Sequence, residues 1–432
     1  LQSRGLGDVY KRQGHIRAWT ITGTGDIEDA NGNCALEDPT VGECNSGAFK
    51  SDAVFFWDAA DEVPVPASRN LYVSKTTATS GAVPPTFDHT LTAADMNIDV
   101  FAAAPDPAPN SALYTVFGSA ATNEEGLADE VISYARGCFF GTGPTTNTSP
   151  VTPCLDRPIR LADVFHSNPV VVRRPRAGNN DPSYVEFKNY YSDRTRVLYA
   201  GTNGGFLEGI HAGSFNTGTG KYILTDGGAE IFGFMPWEAR LKIKGLPIEG
   251  ATQRTHYVDG DMNAADVWLH ATPTDAVKTA SEWHTVLVGG LREGGHHYLA
   301  LDVTDPDNRT FGVNSSTPIP YPAYLWEFPN ETDAAGDYPW MGETWGKPLI
   351  TKIKVEVVND ANSGAGYERW VAILTGGYDP ISDPNPDTVT GVTSSYDATL
   401  GQAGRSLWVV DLKTGGVIAE KKFDALATDD AD

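Results

Sequence analysis

The sequence predicts an all-β, β-propeller-like fold, built from four-stranded blades with long loop insertions and covering about three and a half blades. Three observations predict it. Forty-five Gly and 28 Pro against four Met favour many short strands and turns over long helices. Apolar runs are short, bounded by turn residues, and lack sustained helical periodicity. One such run also repeats: V-L-Y-A-G (Val197–Gly201) returns as V-L-V-G-G (Val286–Gly290) and I-L-T-G-G (Ile373–Gly377). Gly201, Gly290 and Gly377 thus recur 89 and 87 residues apart.

The first full unit spans 156–240. Val170–Val172 is a β-branched run after Asn168-Pro169, and Val197–Ala200 stops at Gly201. Asn203-Gly204-Gly205 then turns the chain into Phe206–Ile210, a strong hairpin signal. Ile231–Met235 closes the unit. The second unit, 250–330, has the same four runs at Tyr257–Trp268, Val286–Gly290, His297–Pro306 and Tyr324–Phe328. The third, 340–421, has them at Gly346–Ile353, Ile373–Gly377, Ser406–Gly415 and Gly416–Ala419. A bare blade needs about 40–45 residues, so the excess falls in loops such as Arg173–Arg194, Pro273–Trp283 and Tyr378–Gly404. Long loops on a rigid scaffold commonly carry binding.

Upstream, Gly14–Ile21 and Ala53–Asp58 read as the last two strands of a preceding blade, with a loop between them, within 14–75. Residues 76–155 read as an insertion whose best helix lies in Ser111–Arg136, above all Glu124–Arg136. Leu1–Gln13 has charges but neither an apolar centre nor periodicity. It reads as a non-native artefact joined to a gene fragment. Three and a half blades fall short of the roughly four to eight that close a propeller, so the chain is expected to be cut at both ends.

The net charge of −24 disfavours nucleic acid and anionic membrane surfaces as partners. No segment reaches the roughly 18 apolar residues of a membrane span. Four cysteines fall in two local pairs, Cys34 with Cys44 and Cys138 with Cys154, neither with metal-site spacing. Two disulfides in an oxidising compartment are expected, each worth roughly 3 kcal/mol by loop closure. Four reduced, buried cysteines are the alternative.

Two acidic loops are candidates for Ca2+. Asp259, Asp261, Asn263 and Asp266 begin like a calcium loop, with oxygen side chains that a turn could converge on one hard cation. His270 stands where the bidentate Glu of an EF-hand belongs, and a structural turn is the competing reading. Asp379, Asp383 and Asp387 recur at spacing four in a Pro-rich loop, against which stands a plain solvated turn. No catalytic residues are expected: G-x-S-x-G, H-E-x-x-H and the P-loop are missing from the sequence. His296 and His297 are expected on opposite faces of a strand, and His166-Ser167 as a capped turn. Trp268, Trp326, Trp370 and Trp408 are expected between blades.

Specific strings add a family resemblance. R-L-A-D-V-F-H-S-N-P-V-V-V (Arg160–Val172), Y-V-D-G-D (Tyr257–Asp261) and V-L-V-G-G-L-R-E-G-G-H-H-Y-L-A-L-D-V-T-D-P (Val286–Pro306) resemble the PilC/PilY family of type IV pilus tip-associated proteins. T-G-G-Y-D-P (Thr375–Pro380), R-S-L-W-V-V-D-L-K-T-G, G-H-I-R-A-W and F-W-D-A-A are similar to it too. The resemblance is dense over Asp156–Lys421 and thin over Gly14–Asn70. It implies a non-catalytic pilus biogenesis factor and tip adhesin, secreted to the periplasm or outer surface. It also implies minor pilins and the pilus machinery as partners, with a host or surface ligand. The family's calcium loop, a D-x-D-x-D segment, has no match here. Two other classes share the blade pattern. A PQQ-dependent quinoprotein dehydrogenase would show adjacent cysteines or C-x-x-C-H, which this sequence lacks. The other class is a scaffold propeller without activity of its own.

Overall fold

A computed structural model describes residues 13–37, 44–74, 80–98, 124–139, 155–176, 178–248, 255–270, 272, 274, 276–309, 320–329, 337–356, 366–379 and 403–423. Three main sheets, antiparallel but for one edge strand, follow one another along the chain. The first holds β1 (Leu71–Val73), β2 (Val170–Val172), β3 (Val197–Gly201), β4 (Leu207–His211) and β5 (Glu230–Met235), in the order β1-β5-β4-β3-β2. The second holds β6 (Met262–Trp268), β7 (Trp283–Gly290), β8 (Tyr298–Asp302) and β9 (Ala323–Phe328), paired in sequence. The third holds β10 (Leu349–Val355), β11 (Tyr367–Thr375), β12 (Ser406–Asp411) and β13 (Val417–Lys422), again paired in sequence.

The three sheets share details beyond strand order. In each, the register slips between the third and fourth strands: at Glu230/Phe232, Ala300/Leu301 and Val409/Val410. A bulge there increases the local twist, as blades need toward their rims. The first strands β2, β6 and β10 lie side by side, so the sheets converge on their innermost strands. This is the arrangement of consecutive propeller blades.

Register also corrects one alignment. Gly201 faces Leu207 and Gly290 faces Tyr298, but in the third sheet Thr375 faces Leu407. Val197, Val286 and Val371 are therefore equivalent, and the I-L-T-G-G run sits two residues out of step. A slip of two keeps every side chain on its face, so the apolar pattern could not reveal it.

Other differences are local. β1, which the sequence did not signal, adds a parallel fifth strand outside β5. Gly14–Ile21 and Ala53–Asp58 form no continuous strands. Three ladder bonds join them (Ala18 N to Trp57 O, Phe56 N to Ala18 O, Ala59 N to Ile16 O), and Thr20–Ile21 pairs instead with Ile27–Glu28. Helix α1 (Glu124–Arg136) buries Leu127, Ala128, Val131, Ile132 and Ala135 at helical spacing, with Glu124 and Glu125 in its first turn and Arg136 in its last. Residues 111–123 lie outside the described residues. The loop Arg173–Arg194 holds helix α2 (Pro182–Tyr190), capped by Asp181 and packed through Tyr184 and Phe187 on Trp268 and Trp283. That loop is a wedge against the second sheet.

One core spans the first sheet, α1, the 71–98 segment and part of the second sheet; another fills the space between the second and third sheets. Inside the first lies a buried charge cluster. Arg69 donates to Glu230 from Nε and Nη2 and to Glu208 from Nη2, at 2.6–3.1 Å. Burial, then the neighbouring Glu230, pushes the Glu208 carboxyl well up. The cluster ties the segment before β1 to β4 and β5.

Cys34 and Cys44 form a disulfide with S–S 2.10 Å. Cys138 is disulfide-bonded as well; Cys154, the partner expected for it, lies outside the described residues. No described helix is long and apolar enough to cross a membrane.

Candidate functional site

The segments leading into the innermost strands gather at one end of the sheets. They are Asp163–Ser167 before β2, Tyr257–Asp261 before β6 and Glu343–Gly346 before β10. The first is tied to the inner hairpin turn of its own sheet, and the other two to the turn of the preceding sheet. Asn203, in the β3–β4 turn, donates from N to Asp163 O and from Nδ2 to Asp163 Oδ2, both at 2.9 Å, while Val258 N donates to Thr202 O. One unit further on, Leu291 N in the β7–β8 turn donates to Thr344 Oγ1 at 2.7 Å. The fit leaves no room for side chains. A Cβ on Gly201 would lie 2.3 Å from Val258 O, and one on Gly294 would lie 1.8 Å from Tyr257 O. That spacing explains the glycines of V-L-Y-A-G and L-R-E-G-G.

These contacts bring His166, His256 and Asp259 together. Asp259 is 1% exposed and sits between the two rings. Its Oδ1 accepts from His166 N at 3.0 Å, and its Oδ2 lies 2.5 Å from His166 Nδ1 and 3.2 Å from His256 Nδ1. The other ring nitrogen of His256, Nε2, is 3.2 Å from Glu293 Oε2. Arg292 Nη1 stands 3.5 Å from Asp259 Oδ2, and its guanidinium lies over the Trp345 ring at 4.0 Å. Arg292 has φ +55°, a costly conformation for a residue with a side chain. The exposed Phe165 ring lies against His166 (4.0 Å) and stacks on His256 (5.7 Å). Burial alone would raise the Asp259 carboxyl; the hydrogen bonds from His256 and His166 outweigh it and hold it below its usual range.

A second cluster lies on the other side of the β7–β8 turn. Glu238 of helix α3 (Trp237–Lys242) meets His296 Nδ1 at 3.0 Å, His297 Nδ1 at 2.9 Å and Lys242 Nζ at 2.7 Å. Burial would push its carboxyl up, but Lys242 and the two histidines hold it well below the ordinary value. This corrects the expectation that His296 and His297 point apart. β8 begins only at Tyr298, so the strand alternation does not reach them, and the turn delivers both to one carboxylate.

The acidic loop is spread out. Asp261 Oδ1 accepts from Asn168 Nδ2 at 2.7 Å, Asn263 Nδ2 donates to Pro348 O, and Asp266 accepts from Tyr184 Oη and Thr285 Oγ1. Asn263 and Asp266 lie on β6 at odd spacing, hence on opposite faces. Asp259, Asp261, Asn263 and Asp266 do not converge and do not fit one calcium ion. Asp379 follows Tyr378, which bridges to Glu343; Asp383 and Asp387 lie outside the described residues. Ser167 Oγ accepts from Gly201 N at 2.9 Å, a contact to the end of β3. The His166–His256–Asp259 cluster was not legible from spacing: its members come from two units, 90 residues apart. The available signal was that both histidines sit in the segment leading into a first strand.

No family model matches the chain. Curated relatives do. The type IV pilus biogenesis factor PilY1 of Pseudomonas aeruginosa is 28% identical over 233 residues, 52% of this chain and 16% of that protein. Two PilY1 homologs of Xylella fastidiosa are 29% and 28% identical over 248 and 323 residues, 54% and 72% of this chain and 17% and 16% of theirs. The chain thus spans about a sixth of the length of the curated relatives it matches. The crystal structure of the P. aeruginosa PilY1 C-terminal domain overlaps 60% of this chain and 37% of that one, at 24% identity and a TM-score of 0.34. At that score the overlap is too loose to carry the fold, which rests on the strand order and shared bulges. Over half or more of its length, the chain is similar to these type IV pilus biogenesis factors.

Proposed function

We propose that this chain is the propeller-like part of a type IV pilus biogenesis factor, working outside the cytoplasm by binding and assembly, not catalysis. The observation that carries the reading is that several curated relatives, from two organisms, all bear the name of that factor. The Cys34–Cys44 disulfide supports an oxidising compartment. The histidines of both clusters face carboxylates, an arrangement that supports a structural role for them. The finer reading is that the module acts with minor pilins at the pilus tip and contributes to surface adhesion. Calcium enters that reading as an added ligand to be tested, because the acidic loop spends its oxygens on hydrogen bonds.

The test is deletion of the gene in its host, with surface pili counted by electron microscopy and restored by the intact gene. Loss of pili on deletion is the expected result; unchanged piliation and twitching would overturn the proposal. Adhesion is read separately, from binding of purified protein to surfaces in the presence and absence of calcium.

A further inference from the structure

We propose that His166, His256 and Asp259 form a binding site for one first-row divalent metal ion of the zinc class, which clamps the first sheet to the second. The argument starts from the rings. His256 presents Nε2 to the Glu293 carboxylate at 3.2 Å and Nδ1 to Asp259 Oδ2 at 3.2 Å. A neutral imidazole carries one proton. Without an ion, Nδ1–H donates to Asp259 Oδ2; a divalent cation that displaces that proton takes the Nδ1 lone pair and the carboxylate oxygen, while Nε2–H stays on Glu293. His166 Nδ1 lies 2.5 Å from the same oxygen. Two ring nitrogens and one carboxylate oxygen lie within 4.8 Å of one another. A ligating histidine whose other nitrogen is held by a carboxylate is the usual arrangement around zinc.

Charge and chemistry select the class of ion. With neutral rings, Asp259 and Glu293 outnumber Arg292 by one negative charge, which a divalent cation over-neutralises by only one. Arg292 lies over the Trp345 ring with its Nη1 3.5 Å from Asp259 Oδ2, so an entering ion takes the place of that ion pair. Imidazole nitrogen suits zinc, nickel, copper and iron, whereas calcium takes oxygen ligands. Three protein ligands leave a fourth tetrahedral position for water or for a group brought by a partner. Half-buried His166 leaves the cluster open on one side, next to the exposed Phe165. The site joins two units: His166 precedes β2, while His256 and Asp259 precede β6. Metal binding would therefore hold the angle between the sheets. This inference stands apart from the pilus reading.

The test titrates Zn2+ into the purified, chelator-stripped chain by calorimetry, with Co2+ absorption as a second readout. One Zn2+ per chain is expected, with tetrahedral Co2+ bands and a raised melting midpoint. His166→Ala and His256→Ala should each weaken binding at least tenfold and abolish the bands and the midpoint shift. Asp261→Asn, outside the cluster, should leave all three unchanged. Since Asp259 is buried and its removal could unfold the chain, the half-exposed His166 is the deciding variant, its fold checked by circular dichroism. Absence of zinc binding to the unaltered chain would overturn the proposal. So would binding that survives the double His166→Ala, His256→Ala change, or zinc displaced by an equal concentration of Ca2+.

Discussion

Glu130 illustrates how one residue can act against the fold that holds it. It lies on the buried side of α1, 5% exposed, and its Oε2 has no hydrogen-bond partner among the described residues. Burial, with a smaller push from Asp129, raises its carboxyl to about 7 from an ordinary value of 4.5. Between those pH values the folded chain binds more protons than the unfolded one. Stability contributed here is therefore present below about pH 4.5, falls as pH rises to 7, and is flat above. Glu130→Gln should leave stability at pH 4 nearly unchanged and raise it at pH 8 by roughly 1–3 kcal/mol. Urea unfolding at both pH values measures this; an equal gain at both would show that the carboxylate is solvated. The sequence marked the helix here, because its apolar spacing is periodic. It could not mark Glu130, since which charged residue a helix turns inward depends on the sheet it meets.

At the scale of elements, the strands were legible and their junctions were not. The runs of β3, β7 and β11 stand out because apolar, β-branched residues end at glycine. The third strands β8 and β12 both end in an aspartate turn. Asp302 accepts from Thr304 N and Asp411 accepts from Lys413 N and Thr414 N, which are the local turns that D-V-T-D and D-L-K-T-G favour. The glycines of L-R-E-G-G belong to another class. Gly294 is needed because Tyr257 O, 37 residues earlier, occupies the space of its side chain. Gly220 is a control, with φ +67° and nothing within 4 Å of its missing Cβ. Gly220→Ala should cost only the left-handed backbone penalty of about 1–2 kcal/mol. Gly294→Ala must push a backbone carbonyl aside and should cost more than ~3 kcal/mol, or abolish soluble expression. Thermal unfolding of the two variants side by side measures the difference, and equal losses would contradict the close approach of the β7–β8 turn to the lead-in of β6.

For the molecule as a whole, the question is whether the sheets stand as separate modules or share their stability. The recurring tryptophans answer it. Trp326 on β9 donates from Nε1 to Leu412 O at 2.9 Å, and its ring fills the space beside Gly415 in the turn after β12. Phe328 on β9 meets Trp408 on β12 edge to face at 5.5 Å, and Trp283 on β7 meets Trp370 on β11 at 6.2 Å. His270 Nε2, just past β6, pairs with Asp411 Oδ2 at 3.2 Å. Each contact crosses from the second sheet to the third, so the two close one core and neither buries its face alone. The sequence supplied the tryptophans at repeating places; only the inward convergence of β2, β6 and β10 gives them a neighbouring sheet to meet. Trp326→Ala should therefore cost about 3–5 kcal/mol, combining a cavity with the loss of the bond to Leu412 O. Hydrogen exchange gives the decisive readout. If the sheets share a core, the amides of Trp408 and Val410 on β12 lose protection along with those of Leu325 and Trp326 on β9. Protection lost on β9 alone, with β12 unchanged, would mean that the third sheet stands by itself and that the blades are joined only by chain.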